Sequence, residues 1–266
     1  MLRSVRDLEK YAVTASDGDI GHVANFLFDD ERWTIRYLVV ETGGFLGGRE
    51  VLISPISFRD VDWADHRFHL ALTIDKIKHS PGVETNKPVS RQHEEAYHRY
   101  YQYPAYWGYA GPWGTDMDPG LLAAKAWSVE AAVGLDTTVG DVHLRSAREV
   151  QGYHIQGSDD GVGHVHDFIV DDETWAVRYL VIDTSNWWLG EKVLMSPDWI
   201  DSINWEERKV HVAMTRQQVK ASPEWSDAAA VNRTYETRLY DYYGRPVYWG
   251  SDGHPKEEQP PRSFHA

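Results

Sequence analysis

Histidines at matched positions are the side chains of this sequence whose type could bind a metal ion. His22 has the counterpart His164, and His69 has the counterpart His211. Imidazole is a common zinc ligand and changes its charge near neutral pH. Neither position has a second histidine or a carboxylate at a spacing diagnostic of zinc. We therefore expect structural histidines, and a small-ligand or metal-binding sensor is the alternative.

Three consecutive acidic residues also occur twice, as Asp29-Asp30-Glu31 and as Asp171-Asp172-Glu173. Carboxylate oxygens bind hard cations such as calcium. The spaced ligands of a calcium-binding loop are missing here, and aspartate commonly caps turns through its own side chain. An arginine follows each acidic run and could neutralise it. We predict a structural turn and pairing role, and no metal site, for Asp29, Asp30, Arg36, Asp171, Asp172 and Arg178.

The sequence contains no residue pattern that is diagnostic of catalysis. A nucleophile elbow, a zinc-binding helix and paired carboxylates in an apolar setting are all missing. Gly43–Gly48 resembles a phosphate-binding loop, but only the last of its four glycines recurs in its counterpart Ser185–Gly190. The chain has no cysteine, which excludes thiolate chemistry and disulfides. We expect no catalytic residues, no cofactor and no enzymatic activity.

Composition limits the class of partner. The 266 residues include 12 Trp and 15 Tyr, which is typical of a globular chain with room for two domains. The formal net charge is −14, and the basic residues are scattered, so phosphate backbones are repelled. No stretch approaches the ~18 apolar residues of a membrane span, and the charged start differs from a secretory signal. We predict a cytoplasmic protein without nucleic-acid partners.

An internal repeat organises the chain. Gly21-His22-Val23 recurs 142 positions later (21 to 163) as Gly163-His164-Val165, and the match continues without a gap. Arg36–Val39 recurs as Arg178–Val181 at the same offset. From this we predict a first repeat with a helical extension at 1–109, a linker at 110–143 with a short helix at Leu121–Val133, a second repeat with a helical extension at 144–250, and a disordered tail at 251–266.

Within one repeat, short segments separated by turn residues predict strands. Trp33–Thr42 is apolar on both of its alternating faces, as a strand covered on both sides requires. The spacing of the segments favours a small closed barrel. The other predicted strands of the first copy are Tyr11–Ala15, Ile20–Asp29, Val51–Ser54, Ile56–Asp62 and Arg67–Leu72.

Helices follow the strands of each repeat. Thr73 and Thr215 are predicted to cap a short helix, with Gln218 completing a capping box beside Thr215. A second helix begins after Ser90 or Asn232. In the second copy, one face of this helix contains Tyr235, Leu239, Tyr242 and Tyr243, and this face is predicted to pack against another part of the protein.

Together these motifs resemble the PRC-barrel family, named after the cytoplasmic domain of the photosynthetic reaction-centre H subunit and also found in ribosome maturation factors. The resemblance rests on the Gly-x-Val strand, the Asp-Asp turn, Arg-Tyr-Leu-Val and Val-Leu-x-Ser-Pro, and it spans Leu2–Pro81 and Leu144–Pro223. It implies a mainly β fold of two tandem small PRC-type barrels, each followed by short helices. The family serves as an adaptor in unrelated assemblies, so it implies no catalytic residue.

Bulky aromatic residues are the interaction candidates. The second copy has an apolar Trp-Trp-Leu cluster where the first copy has Phe45-Leu46-Gly47 in a glycine-rich loop, and exposed clusters of this kind mark contact sites. The alternative is that this cluster packs within the chain, against the linker or the other barrel. We expect a non-enzymatic interaction or scaffold protein whose partner is an unidentified protein, with self-association as an open alternative. The candidate contact residues are Trp187, Trp188, Leu189, Tyr106, Trp107, Tyr248 and Trp249.

Overall fold

The computed structural model describes most of the chain outside the linker and the tail. The described residues are 1–44, 47–81, 89, 91–107, 111–126, 144–184, 192–226 and 230–249, with the backbone alone for 91–92 and 124–126. The chain is mainly β, and its strands form two sheets. The part of the linker at 127–143 and the tail at 251–266 lie outside the described residues, as does the second half of the helix predicted at Leu121–Val133.

The strands, in chain order, are β1 (Leu2–Ser4), β2 (Ala12–Ala15), β3 (Gly18–Asp29), β4 (Thr34–Thr42), β5 (Glu50–Ile53), β6 (Phe58–Asp62), β7 (Arg67–Leu70), β8 (Leu144–Ser146), β9 (His154–Gln156), β10 (Gly161–Asp171), β11 (Val177–Asp183), β12 (Lys192–Met195), β13 (Ile200–Asn204), β14 (Lys209–Val212) and β15 (Glu224–Trp225). The helices are α1 (Val5–Leu8), α2 (Ile74–Lys78), α3 (Arg91–Tyr101), α4 (Pro119–Ala126), α5 (Ala147–Val150), α6 (Arg216–Lys220) and α7 (Arg233–Tyr243).

The chain divides into two compact units. The early unit comprises Val5–Arg148 and Glu173–Ala176. The late unit comprises Met1–Ser4, Glu149–Asp172 and Val177–Ala266. Each unit contains one of the two sheets, together with short pieces of the other repeat: 144–148 and Glu173–Ala176 in the early unit, and Met1–Ser4 in the late unit. The boundaries 1–109 and 144–250 were predicted for the two repeats, and they stay a prediction. The compact units differ from these boundaries at the short pieces that belong to the other repeat.

The two sheets have corresponding strand orders. The early sheet runs β6-β7-β2-β3-β4-β5, and β8 pairs with β3. The late sheet runs β13-β14-β9-β10-β11-β12-β15, and β1 pairs with β10. The longest strand of each sheet is the second strand of the first hairpin, β3 in the early sheet and β10 in the late sheet. One edge of β3 pairs first with β2 and then with β8. One edge of β10 pairs in the same way with β9 and then with β1.

Neither sheet closes into a hydrogen-bonded barrel within the described residues, in contrast to the closed barrels that strand spacing favours. In the early sheet β5 and β6 are the two ends of the path and are not paired. A 3-10 turn at Pro55–Ser57 separates them. Proline has no N–H to donate to a ladder, so the chain leaves the sheet here. The strand predicted at Ile56–Asp62 therefore begins only at Phe58.

A close approach of two strands explains the glycine of the Gly-His-Val motif. In the early unit a Cβ on Gly21 would lie 1.9 Å from the carbonyl oxygen of Glu41. In the late unit a Cβ on Gly163 would lie 2.2 Å from the carbonyl oxygen of Asp183. Real Cβ atoms do not come so near to backbone, so any side chain would push the long hairpin apart.

The predicted central strand and the predicted helix caps are confirmed. Every residue of β4 except Glu41 is buried. Thr73 caps α2, and Thr215 forms a complete capping box with Gln218 at α6. Asn232 caps α7, whereas Ser90 lies outside the described residues. The sequence-derived cap residues therefore set where these helices begin.

The first strand of each repeat is exchanged between the compact units. In the late unit, Leu2 of β1 pairs with Asp171 and Ser4 pairs with Ile169, both of β10. In the early unit, β8 pairs with β3 in the same way, with Leu144 opposite Asp29. Since β1 and β8 are matched by the repeat, each occupies in one unit the place that its counterpart occupies in the other.

Candidate functional site

The residues that follow the last helix of each repeat, 102–107 after α3 and 244–249 after α7, are called the C-terminal extension here, and a buried glutamate lies beneath each of them. Glu94 on α3 and Glu236 on α7 are matched by the repeat, and each is only 2% exposed. Burying a carboxylate is expensive unless hydrogen-bond donors surround it. Each glutamate therefore needs hydrogen-bond donors close to it, and these donors identify the parts of the chain that the glutamate joins.

In the late unit, Glu236 accepts hydrogen bonds from two tyrosines. The hydroxyls of Tyr179 on β11 and of Tyr248 in the extension each donate to Oε1 at 2.7 Å. Nη1 of Arg233 lies 3.1 Å from Oε2. Burial is the main reason that the pKa of the Tyr179 hydroxyl is raised, with Tyr240 and Glu236 adding to it. Both tyrosines therefore stay protonated and act as donors.

In the early unit, two tyrosines likewise donate to the buried glutamate, and a histidine lies beside one of them. Tyr37 on β4 donates to Oε1 of Glu94 at 3.3 Å, and Tyr106 in the extension also donates to this oxygen. His98 lies next to Tyr37, with 3.1 Å between Nε2 and the hydroxyl oxygen, and its Nδ1 lies 3.0 Å from the carbonyl oxygen of Pro104. In the late unit Tyr240 stands at the position of His98.

A buried arginine supports the extension in the early unit. Arg36 is fully buried, and its Nη2 lies 2.9 Å from Oδ2 of Asp29. Its guanidinium lies 3.7 Å from the ring centroid of Tyr106, and it donates to the carbonyl of Pro112. Burial alone would raise the pKa of Asp29, but the charge and hydrogen bonds of Arg36 lower it below its ordinary value. The turn and the extension are thus joined through one arginine.

The late unit contains a looser copy of this pair. Nη2 of Arg178 lies 3.5 Å from Oδ2 of Asp171, and both side chains are partly exposed. The guanidinium lies 4.3 Å from the ring centroid of Tyr248. The structure therefore brings the predicted acid–arginine pairs together in both repeats. The pair in the early unit is buried, and the pair in the late unit is partly exposed.

The second aspartate of each turn binds the exchanged strand. Nε of Arg3 on β1 lies 2.7 Å from Oδ2 of Asp172 in the late unit. Nε of Arg145 on β8 lies 2.8 Å from Oδ2 of Asp30 in the early unit. These contacts fix the two short strands at the turn of the long hairpin.

The aromatic interaction candidates fall into three groups. Tyr106 is buried and belongs to the core of the early unit. Tyr248, Trp107 and Trp249 are partly exposed, and the guanidinium of Arg233 lies 4.0 Å from the ring centroid of Trp249. The remaining candidates, Trp187, Trp188 and Leu189, lie outside the described residues.

The matched histidines lie beside single acidic side chains. Nε2 of His22 is 3.3 Å from a carboxylate oxygen of Glu41, and Nε2 of His164 is 3.9 Å from one of Asp183. Within the described ranges, no three His, Asp or Glu side chains gather as ligands for a metal ion. The sensor alternative stays a prediction.

In each unit, therefore, a buried glutamate joins a tyrosine of the sheet to a tyrosine of the C-terminal extension. Residues 2–72 match the family model of the PRC-barrel domain, so this chain contains a PRC-barrel domain. No curated protein matches the chain significantly. In the part of the chain that the structure describes, no helix has the length and apolar composition needed to cross a membrane.

Sequence reasoning missed the glutamates at the centre of these clusters. Their signal was available, because Arg91 and Glu94 recur as Arg233 and Glu236 at the offset of the repeat. Glutamate is usually exposed. The spacing of apolar and aromatic residues in the helix therefore predicted an inward face that did not include the glutamate.

Removing one donor from this cluster should destabilise the late unit. In Tyr248→Phe, Glu236 loses one hydrogen bond, and we expect the free energy of unfolding to fall by about 1.5–3 kcal/mol because the acceptor is charged. Urea denaturation monitored by circular dichroism measures the change. Tyr242→Phe is the control, since the Tyr242 hydroxyl donates to the Gln218 carbonyl at an exposed site. Equal effects of the two substitutions would contradict this role for Glu236.

Alkaline pH should destabilise both units through their buried tyrosines. Burial raises the pKa of Tyr101 in the early unit and of Tyr243 in the late unit to about 12, against ~10 in an unfolded chain. A raised pKa contributes stability that is fully present below pH ~10 and is lost as the pH rises through the folded pKa. Thermal midpoints should therefore fall steeply above pH ~10, together with a delayed rise in tyrosinate absorbance. Complete tyrosine ionisation near pH ~10 with the fold intact would contradict this expectation.

Proposed function

We propose that this chain is a non-enzymatic interaction or scaffold protein of the cytoplasm, built from two PRC-type barrel domains in tandem. The corresponding strand orders of the two sheets and the gapless repeat support the duplication. The PRC-barrel match at residues 2–72 supports the domain type for the first copy. The net charge of −14 favours a protein partner over a nucleic acid.

The observation that carries the proposal is the position of the two tryptophans that end the extensions. In each unit the buried glutamate holds the preceding tyrosine, Tyr106 or Tyr248, against the sheet. The next residue, Trp107 or Trp249, is left partly exposed. A large aromatic side chain held at the surface by a rigid neighbour is typical of a protein contact. The carboxylates of Glu94 and Glu236 already accept hydrogen bonds from tyrosines of the sheet and of the extension.

Affinity capture from the native host tests this function. The full chain serves as bait beside the double variant Trp107→Ser/Trp249→Ser, and bound proteins are quantified by mass spectrometry. We expect a stoichiometric partner whose recovery falls about tenfold or more with the double variant, since central aromatic residues dominate interface energies. A second bait, Trp187→Ser/Trp188→Ser, tests the remaining candidates.

Leu121→Ser provides the matched control. Leu121 on α4 is an exposed apolar residue outside the extensions, so its replacement should leave partner recovery unchanged. Circular dichroism establishes that each bait is folded. Partner recovery that is insensitive to all four tryptophans, or turnover of ester, phosphate or glycoside substrates by the purified chain, would contradict the proposal.

A further inference from the structure

His98 on α3 is a titratable side chain that is buried where the extension of the early unit meets the sheet. The residue is only 4% exposed. Its Nδ1 lies 3.0 Å from the carbonyl oxygen of Pro104, and its Nε2 lies 3.1 Å from the hydroxyl oxygen of Tyr37. Its ring also contacts the ring of Trp107 edge to face, with 4.9 Å between the centroids. The imidazole therefore touches the sheet, the extension and the partly exposed tryptophan together.

The hydrogen bonds around this ring determine how many protons it holds. A carbonyl oxygen only accepts, so Nδ1 must hold a proton to bond to Pro104. The Tyr37 hydroxyl has a single proton, which it donates to Oε1 of Glu94. Its oxygen is then the acceptor toward His98, so Nε2 must hold a proton as well. Protons on both nitrogens make the ring an imidazolium.

We propose that His98 is a pH-sensitive switch for the early extension, which it holds in place while both of its ring nitrogens are protonated. If Nε2 loses its proton, this nitrogen becomes an acceptor and competes with Glu94 for the proton of Tyr37. If Nδ1 loses its proton, the hydrogen bond to the Pro104 carbonyl is lost instead. Either loss loosens the extension that ends in Trp107.

The groups around the ring act on its charge in both directions. Glu94, on the same helix, places a carboxylate beyond the Tyr37 hydroxyl and favours the imidazolium. Burial and the nearby guanidinium of Arg36 oppose it, but Arg36 is itself paired with Asp29 at 2.9 Å. Phenols are neutral near pH 7. Among the described side chains, the other titratable groups that face the ring are the tyrosines Tyr37, Tyr97, Tyr103 and Tyr106.

The late unit provides an internal comparison. Tyr240 stands at the position of His98, and its ring contacts Trp249 edge to face at 5.2 Å. Burial raises the pKa of Tyr240 to about 12, so this side chain keeps one charge state throughout the neutral range. Only the early extension should therefore respond to pH near neutrality. The inference concerns the regulation of the Trp107 contact surface, and it rests on the proposed function for its biological consequence.

Imidazole 15N NMR of the full chain reads the protonation of His98 directly. The His98 signals are those that disappear from the spectrum of the His98→Gln variant. We expect two protonated ring nitrogens at pH ~6, and loss of one proton only at a pH above the ~6.5 that is usual for histidine. A His98 ring with a single proton in the folded chain at pH ~6 would overturn the proposal.

Amide hydrogen–deuterium exchange measures the consequence for the extension. Stability that depends on an imidazolium is present at low pH and is lost as the pH rises through the folded pKa. Protection of residues 102–107, relative to residues 244–249 of the same chain, should therefore fall at least about tenfold between pH ~6 and ~8.5, as expected for one hydrogen bond to a charged group. Both segments are corrected for their intrinsic exchange rates.

His98→Tyr is the matched variant, because it gives the early unit the residue of the late unit. Its ratio of protection should not change with pH. A constant ratio in the wild-type chain, or the same fall in a folded His98→Tyr chain, would contradict the switch. Neither measurement involves a binding partner, so failure here is separate from failure of the capture test of the extension tryptophans.

Discussion

The Trp175→Ala variant is expected to lower the free energy of unfolding of the early unit by about 3–5 kcal/mol, although Trp175 belongs to the second repeat. Its indole is buried and contacts Phe58 and Phe68, with ring centroids 5.3 and 6.0 Å away. Its carbonyl accepts from the amide of Ile35 at 2.8 Å. Truncation therefore leaves a large cavity beside β6 and β7, whose lining can collapse only in part.

Amide hydrogen–deuterium exchange of the full chain locates this effect. We expect faster exchange in peptides covering β6 and β7 and unchanged exchange in their counterparts β13 and β14. Trp205→Ala is the matched control, because Trp205 contacts Tyr153 in the late unit. Loss of protection in β13 and β14 with intact β6 and β7 in the Trp175→Ala variant would show that the indole packs elsewhere.

The Asp29→Asn variant is expected to destabilise the early unit by about 3–5 kcal/mol at neutral pH, because it leaves the fully buried Arg36 without a counter-charge. The matched variant Asp171→Asn should have an effect of only about 1 kcal/mol or less, because that pair is partly exposed and its atoms are 3.5 Å apart. Urea denaturation of both variants measures the difference. Equal destabilisation by the two variants would contradict the conclusion that the Asp29–Arg36 pair is more deeply buried than the Asp171–Arg178 pair.

The effect of Asp29→Asn should also depend on pH. Burial acts to raise the pKa of Asp29, but Arg36 and the backbone amides of Arg32 and Glu31 together outweigh it, and the folded pKa is lowered. A lowered carboxyl pKa contributes stability that is present above the unfolded value of ~3.9 and is lost as the pH falls through the folded pKa. The difference between wild type and variant should therefore be constant from pH ~7 to ~5 and shrink below pH ~4. A difference that persists unchanged at pH ~2 would contradict this linkage.

Local patterns predicted the elements of this fold because each depends on a few neighbouring residues. The apolar faces of β4 and the caps at Thr73, Thr215 and Asn232 all follow from such local chemistry. The face predicted for α7 was partly wrong, since Tyr242 is 41% exposed. Glu236 faces inward instead, and the tyrosine hydroxyls that stabilise it come from distant parts of the chain.

The exchange of first strands could not be predicted from the sequence. Leu2–Ser4 and Leu144–Ser146 are identical, so either strand satisfies the apolar and polar requirements of either sheet. The sequence pattern therefore predicts that each segment pairs within its own repeat. Which sheet each strand joins depends on the path of the connecting residues, and that path leaves no local signature. The predicted closure of the barrels is likewise not found within the described residues, because closure depends on pairing between distant strands.

Hydrogen–deuterium exchange of an Arg3→Pro variant tests the exchanged arrangement most directly. Proline removes a backbone donor and breaks the short ladder in which Arg3 lies opposite Val170. We expect amides at the end of β10 to lose protection while those at the end of β3 keep it, and the reverse in Arg145→Pro. Loss of protection in β3 rather than β10 on substitution of Arg3 would show that each repeat retains its own first strand.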